Sequence, residues 1–550
     1  MRRFLAGATA LLFLLCPTLV TAQPDESLPE DTALAAARRH VEQSDRYLHH
    51  SRLRRGMTGY GLTVMKGAEV VRFGVEIVSV VKNWAAHRDV ILVCLSGKDI
   101  DGVDIKRTGI ISGMSGSPVY VRDPRDGKDK MIGAVAYGWG GEKDAQGGVQ
   151  PITLMLAVKG FLPSGRKQAT ARPADDKPAR ASKEYLSAVL DPRKLDFSTV
   201  LLPARAGTGR DVDAGQGLAH RLPSGRLRPL TTPLMISGAS ERTLAEARRS
   251  FPRFGLSPVR AGGVGGDRAD EARKAEIVPG GVVSVPLVAG DADWTGVGTV
   301  TDVVDKQVFA FGHGMFGEGE LSMPMATGYV HTVVATVFDS FKLASTGRVV
   351  GALERDEYVA IRGRIGARHE MVPMSVTVRW GDEGRVERYA YKLCRHRWMT
   401  PVLARLMIMD SAWGFRELPE HHTVRHRVAI EFDELGRYVA ENTSSGGDVM
   451  DAASDASRPL AALLNTPLGE PARVERIDVA LQIESGDTRA SLMKLQLDGD
   501  RYRPGETIDG TLIYRRFRRP RETMRVRFKL PDDLPEGRYE LTACGAARML

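Results

Sequence analysis

The sequence predicts a mainly β protein with two compact β units, a mixed α/β insertion between them and a β-sandwich at the C-terminus. Glycine is abundant, with 58 of 550 residues, as is typical of proteins with many tight turns. Runs rich in β-branched residues recur and are bounded by glycine and proline, which indicates short strands. The apolar fraction of 43% and the charged fraction of 26% are those of a folded globular chain.

The charge distribution argues against a nucleic-acid partner. Lys and Arg number 77 against 68 Asp and Glu, so the formal net charge is +9. The two signs are interleaved along the chain, and basic runs such as residues 515–519 are isolated. We therefore interpret the positive excess as a solvated surface.

The first 22 residues have the three parts of a secretory signal peptide. Arg2 and Arg3 precede an apolar run over residues 4–20, and Ala22 ends a small-x-small cleavage site. Pro17 interrupts the run, which makes it too short for a transmembrane anchor. We expect cleavage after Ala22 and an exported chain, periplasmic or extracellular, without an integral membrane segment.

Composition and turn signals divide the mature chain into successive segments. Residues 164–184 are charged and poor in apolar residues, which predicts a flexible linker. The predicted segments are a polar N-terminal stretch (23–55), a first β unit (56–163), the linker (164–184), a mixed α/β insertion (185–275), a second β unit (276–400), a connecting β/α segment (401–470) and an Ig-like β-sandwich (471–550).

Hydrophobic patterning places the elements within these segments. Ser240 is a candidate N-cap for a helix, because apolar residues follow it at helical spacing. Helices are predicted over residues 32–50, 240–250 and 454–464. Strands are predicted over residues 62–65, 70–81, 90–95, 119–121, 131–137, 282–288, 297–301, 308–311, 330–337, 374–378, 424–432, 478–483, 492–497, 511–514, 524–528 and 539–542.

The strongest chemical signal is the run Gly-Met-Ser-Gly-Ser-Pro over residues 113–118, which lies between two apolar strands. A nucleophilic serine needs its Oγ on a tight turn, with backbone N–H groups able to bind an oxyanion. Gly113 and Gly116 allow such a backbone, so Ser115 is the candidate nucleophile. The N–H groups of Gly113 and Ser115 are the candidate oxyanion donors. A glycine-rich turn with solvent-facing serines is the alternative.

His313 is the candidate general base. It follows Gly312 at the end of the apolar run over residues 308–311, so a rigid strand would hold the imidazole without crowding it. His421, His422 and His426 have a spacing that suits a metal on a helix, but their segment alternates as a strand. No metal ligand and no cofactor is therefore predicted.

The two turns and their surroundings resemble the SpoIVB-type serine peptidase family (stage IV sporulation protein B). The matching stretches are residues 73–78, 108–120, 132–136 and 147–152 around the serine, and residues 351–366 downstream of the histidine. The resemblance implies a serine endopeptidase with two chymotrypsin-like β-barrel halves that form a peptidase-like core. One half would bring the serine and the other the histidine, and the substrate would be a protein or peptide.

The order of the two halves departs from the family pattern. In SpoIVB-type peptidases the histidine half comes first, whereas here Ser115 precedes His313 by 198 residues. The chain order of catalytic residues varies among serine peptidases with the same geometry, so the exchange is compatible with catalysis. It also leaves open a second function, a catalytically inactive peptidase-like scaffold that binds envelope proteins or polymers.

The catalytic acid has several candidates. The family pattern places it shortly before the serine, next to Asp99 and Asp101, and Asp99 is our preferred candidate. Chymotrypsin-type geometry instead places the acid on the histidine half, where Asp339 and Asp356 are available. Cys94, Cys394 and Cys544 are too few and too far apart for a disulfide framework; their pairing and the oligomeric state stay open.

Overall fold

The computed structural model confirms a mainly β protein, with 50% of the described residues in strands and 16% in helices. It describes residues 32–159, 161, 227–263, 268–381, 383–414, 416–433, 435–446, 449–466 and 472–543. The predicted signal peptide, the predicted linker over residues 164–184 and Cys544 lie outside these ranges. Within them, no helix is long and apolar enough to cross a membrane.

The first six strands close into an antiparallel barrel, which we name the serine barrel. They are β1 (Thr58–Thr63), β2 (Val71–Ala85), β3 (Arg88–Ser96), β4 (Pro118–Arg122), β5 (Asp129–Gly138) and β6 (Gln146–Pro151). Their order around the barrel is β1-β2-β3-β6-β5-β4, and pairing of Tyr60 with Tyr120 joins β4 back to β1. Alternate side chains fill the interior: Phe73, Val75 and Ile77 of β2 are all buried.

Three helices flank the serine barrel. They are α1 (Thr32–Gln43), α2 (Ile105–Thr108) and α3 (Ile152–Leu156). α1 is shorter than predicted, because the chain leaves it to pair Tyr47 with Met131 of β5. The hydroxyl of Tyr47 then donates to the buried carboxylate of Asp302, at 2.7 Å. The N-terminal segment is therefore an integral part of the core.

A short βαβ unit links the serine barrel to the second barrel. It contains β7 (Arg228–Pro229), β8 (Thr232–Ser237), α4 (Glu241–Ser250), β9 (Leu256–Arg260) and α5 (Arg268–Lys274). The Oγ of Ser240 accepts a hydrogen bond from the backbone N–H of Thr243 at 3.2 Å, as the sequence predicts for a helix cap. β8 and β9 are parallel, and β8 pairs with the second barrel, so this unit extends a larger sheet.

The next six strands form a second closed ring, which we name the histidine barrel. They are β10 (Val282–Gly290), β11 (Asp293–Val304), β12 (Gln307–Ala310), β13 (Gly319–Val334), β14 (Phe341–Glu357) and β15 (Ala360–Ile365). Their order is β10-β11-β12-β15-β14-β13, and β13 pairs with β10 to complete the ring. Both barrels thus place their first to sixth strands in the same order, 1-2-3-6-5-4, although the sequence shows no repeat.

The histidine barrel continues into a layer of five more strands. They are β16 (Met371–Trp380), β17 (Arg385–Cys394), β18 (His422–Phe432), β19 (Gly436–Ser445) and β20 (Val474–Ser485). Two helices, α6 (Met399–Trp413) and α7 (Met450–Leu464), pack together and against this layer. Because β17 pairs with β10, barrel and layer form one sheet of 13 strands. Their apolar residues also share one core.

The described C-terminal residues form one sheet rather than the two layers of a sandwich. Its strands are β21 (Ala490–Leu497), β22 (Thr507–Arg516) and β23 (Arg521–Lys529). β20, which we predicted as part of the sandwich, pairs instead with β16 and β18. The predicted strand over residues 539–542 is irregular.

Candidate active site

The serine turn, residues 113–117, lies in the connection between the third and fourth strands of the serine barrel. The N–H of Ser117 donates to the carbonyl oxygen of Met114 at 2.9 Å, which tightens the turn. Gly113 and Gly116 have φ angles of +98° and +96°, which other residues adopt only with strain. The sequence therefore folds this turn locally as the glycine spacing predicts.

The histidine barrel holds the serine turn from the other side. The N–H of Thr299 in β11 donates to the carbonyl oxygen of Ser115 at 2.8 Å. The hydroxyl of Thr299 donates to the carbonyl oxygen of Gly113, and that of Thr301 donates to the carbonyl oxygen of Gly116, each at 2.8 Å. Three hydrogen bonds between the barrels thus help to fix the position of the turn.

The serine turn packs directly against the histidine turn, residues 311–318. A Cβ at Gly116 would lie 2.5 Å from the backbone nitrogen of Phe311. A Cβ at Gly312 would lie 3.4 Å from the carbonyl oxygen of Val135, which also accepts the N–H of Gly116 at 2.7 Å. The immediate neighbours of Ser115 and His313 therefore meet at Val135.

The side-chain hydroxyl of Ser115 and two backbone N–H groups of its turn form no hydrogen bond within the described residues. Its side chain is fully buried, and its Oγ has no hydrogen-bond partner among the described residues, so it is not bonded to His313. Within the same residues, the N–H groups of Gly113 and Ser115 donate to no protein acceptor, whereas that of Gly116 does. Two donors of the turn are thus available to a ligand.

His313 lies in the connection between the third and fourth strands of the histidine barrel, the equivalent of the connection that carries Ser115. His313 is 3% exposed, and its Nδ1 lies 2.9 Å from the carbonyl oxygen of Gly314. A carbonyl only accepts hydrogen bonds, so Nδ1 carries a proton. In the neutral ring the basic nitrogen is then Nε2, the nitrogen that a general base uses to take a proton.

Asp356 braces the histidine turn. Its carboxylate, at the end of β14, accepts the N–H groups of Met315, Phe316 and Gly317 at 2.8, 2.6 and 2.9 Å. A Cβ at Gly314 would lie 3.1 Å from its Oδ1, which shows how closely the turn wraps the carboxylate. Asp356 is 1% exposed. It is the acidic candidate that the structure places against the histidine turn.

The other candidate acids lie elsewhere. Asp99 and Asp101 are exposed, with φ angles of 55° and 52°, in the turn between β3 and α2. Asp339 is exposed in the turn before β14, where its N–H donates to Thr336. Within the described residues, none of these three carboxylates hydrogen-bonds to the histidine turn. The role of Asp99 as catalytic acid stays a sequence prediction.

Sequence reasoning missed Lys342, a fully buried lysine of β14. Its Nζ donates to the hydroxyls of Thr63 and Thr299 at 2.7 and 3.3 Å. Its side chain also lines the serine turn, since a Cβ at Gly113 would lie 3.3 Å from it. Complete burial lowers the pKa of Lys342 from its ordinary value to about 7. The one sequence signal was its position between two apolar residues, Phe341 and Leu343, at the start of β14.

Histidines with metal-like spacing have other contacts in the structure. His422 Nδ1 contacts the carbonyl oxygen of Pro419, and His426 Nε2 contacts a carboxylate oxygen of Asp455 at 2.8 Å. The described part of the chain contains no group of three or more histidine, cysteine or acidic residues that could bind a metal.

No protein-family model matches the chain, and no curated protein or solved structure matches it.

Proposed function

We propose that the protein is an exported serine endopeptidase of the SpoIVB type, with chymotrypsin-like barrel halves in exchanged order. One observation carries the proposal. Ser115 and His313 lie in equivalent third-to-fourth strand connections of two barrels with the same strand order, and their turns pack together. An active site between two barrels, with one catalytic residue from each, is the arrangement that the resemblance implies.

The geometry supports a definite role for each group. Ser115 Oγ attacks the scissile carbonyl, and Nε2 of His313 takes the hydroxyl proton and later transfers it to the leaving amine. The N–H groups of Gly113 and Ser115 bind the oxygen that becomes negative in the tetrahedral intermediate. Asp356 holds the histidine turn in position. Water then hydrolyses the acyl-enzyme by the same steps, so no cofactor takes part.

The burial of Ser115 supports a second candidate function. With its side chain fully buried, the described conformation admits no peptide to Ser115 Oγ, so catalysis requires the turn to become accessible. A scaffold that never opens would use the peptidase-like fold for binding alone. The two functions differ in one observable property, which is the reactivity of Ser115.

The deciding experiment is labelling of the purified mature chain with a fluorophosphonate, which reacts with activated serines. We expect one adduct, located on Ser115 by peptide mass spectrometry and absent from Ser115→Ala and His313→Ala. The matched control is Ser117→Ala, because Ser117 is equally buried in the same turn and its Oγ also has no partner. This control should label normally. Failure of the wild-type chain to label under any condition that keeps it folded would favour the scaffold.

A further inference from the structure

Lys342 occupies a position that a packing role alone does not explain. It is a fully buried lysine, and it forms no ion pair with a carboxylate of the described residues. Burying an amino group is costly unless its hydrogen bonds are satisfied. Here the partners are two buried threonine hydroxyls, one from each barrel: Thr63 of β1 and Thr299 of β11.

The threonine of the histidine barrel connects Lys342 to the serine turn. A hydroxyl has one proton, and Thr299 donates it to the carbonyl oxygen of Gly113. The Oγ1 of Thr299 must therefore act as the acceptor towards Lys342 Nζ. The result is a directed chain of hydrogen bonds from Lys342 through Thr299 to the Gly113 carbonyl.

The backbone of Lys342 binds the same stretch of chain. Its N–H donates to the carbonyl oxygen of Ser112 at 3.0 Å, and the N–H of Ser112 donates to the carbonyl oxygen of Ser340 at 2.7 Å. The peptide groups on both sides of Gly113 are thus held by one segment of β14 and by Thr299. The direction of the Gly113 N–H, a proposed oxyanion donor, depends on these contacts.

We propose that Lys342 is a positioning residue, which acts through Thr299 to hold the serine turn in the shape that presents the Gly113 and Ser115 N–H groups. This inference rests on the proposed function for its catalytic consequence. Its structural part, the control of the turn by Lys342, does not depend on whether Ser115 reacts. The lowered pKa of Lys342, about 7, fits this role, because burial favours the neutral amine, which can stay in the interface between barrels at a lower cost than the charged form.

The test uses the full mature chain and the fluorophosphonate labelling rate at Ser115. Lys342→Met keeps the length of the side chain but removes Nζ, and Thr299→Val removes only the hydroxyl. Each should slow labelling by roughly tenfold, the factor for one buried hydrogen bond of about 1.4 kcal/mol. The double variant should be no slower than either single one, because both break the same chain of contacts. Thr299→Ser, which keeps the hydroxyl, should restore the rate.

The matched control is Thr301→Val, since the hydroxyl of Thr301 donates to Gly116 of the same turn but is not one of the two threonine hydroxyls that bond to Lys342. Its effect on the labelling rate should add to that of Lys342→Met. Additive effects of Lys342→Met and Thr299→Val would instead overturn the proposal. So would a Lys342→Met chain that labels at the wild-type rate.

Hydrogen exchange separates this inference from the proposed function. In Lys342→Met, amide exchange over residues 110–118 should accelerate at least fivefold, while residues 311–318 of the histidine turn stay unchanged as the internal reference. If the wild-type chain never labels but exchange changes in this way, the peptidase proposal fails and the role of Lys342 stands. Unchanged exchange over residues 110–118 would refute the role of Lys342 whether or not Ser115 reacts.

Discussion

The serine and histidine turns occupy equivalent connections of two barrels with the same strand order, yet they are supported differently. The histidine turn is held by its own barrel, because Asp356 accepts three consecutive N–H groups of that turn. The serine turn is bonded to Val135 of its own barrel, but it is also held by the opposite barrel, through Thr299, Thr301 and Lys342. The histidine turn is thus self-supporting, whereas the serine turn also depends on how the barrels meet.

This difference indicates which movement would expose the buried Ser115. Movement between the barrels would break the contacts from Thr299 and Thr301 and release the serine turn. The same movement would leave Asp356 and the histidine turn intact. Such an asymmetry offers a route by which the buried Ser115 becomes accessible while the proposed base stays in place.

The largest expected effect tests the self-supporting turn. Asp356→Ala leaves two buried N–H groups and one part-buried N–H group without their acceptor, at about 1–3 kcal/mol each, so the free energy of unfolding should fall by about 5 kcal/mol. Urea unfolding followed by fluorescence measures this loss. Asp99→Ala changes an exposed carboxylate and should alter stability by less than about 0.5 kcal/mol.

The corresponding amides distinguish the two candidate acids. Asp356→Asn removes the charge and keeps one acceptor oxygen, but its NH2 group faces at least one N–H that the second carboxylate oxygen accepts. It should therefore lower stability less than Asp356→Ala does, and it should slow labelling of Ser115. Asp99→Asn should label normally. The opposite pattern would return the acid to Asp99 and limit Asp356 to a structural role.

The same contrast explains what the sequence could predict. Gly113, Gly116 and Gly312 mark turns through local backbone requirements, so the local sequence alone predicts both turns. The partners of those turns come from distant segments: Thr299 lies 186 residues from Gly113. A buried lysine and a carboxylate that accepts backbone N–H groups have no local sequence signature, since their roles exist only in the assembled fold.

The overall fold also has features that the sequence pattern predicts and features that it does not. Strands with alternating or continuous apolar residues, such as β2 and β10, were predicted close to their observed positions. Helix α6 was missed, because it is buried on nearly all sides and has no polar face to reveal its period. The matching strand order of the two barrels and the extension into a 13-stranded sheet depend on pairing between distant strands, which patterning cannot specify.

The second prediction concerns Lys342, whose titration should make the free energy of unfolding depend on pH. The pKa of Lys342 is about 7 in the folded chain and near 10.4 when unfolded. Between these values the unfolded chain binds a proton that the folded chain does not, so stability rises with pH through this window. The cost of burial is fully present below pH 7 and lost by about pH 10.5.

Comparison with Lys342→Met isolates this contribution. The free energy of unfolding of the wild-type chain should rise by about 4 kcal/mol relative to the variant between pH 7 and pH 10, at 1.36 kcal/mol per pH unit. Urea unfolding at pH 7, 8.5 and 10 gives the difference. Parallel pH profiles of the two chains would mean that Lys342 stays charged, and the dry interface inferred around it would be wrong.

The smallest expected effect tests the contact between the turns. Gly116→Ala places a methyl group 2.0 Å from the carbonyl oxygen of Thr299 and 2.5 Å from the nitrogen of Phe311, so one of the two barrels must shift. Overpacking and the positive φ together should lower the free energy of unfolding by about 3 kcal/mol. Gly127→Ala is the matched control, because Gly127 also has a positive φ but nothing lies within 4 Å of its Cβ position. It should cost only about 1 kcal/mol of strain.

The decisive measurement is hydrogen exchange. Gly116→Ala should accelerate exchange over residues 110–118 more than over residues 311–318, because Asp356 still holds the histidine turn. Equal acceleration in both turns would show that the histidine turn also depends on contact between the barrels, and the contrast between the two supports would be lost.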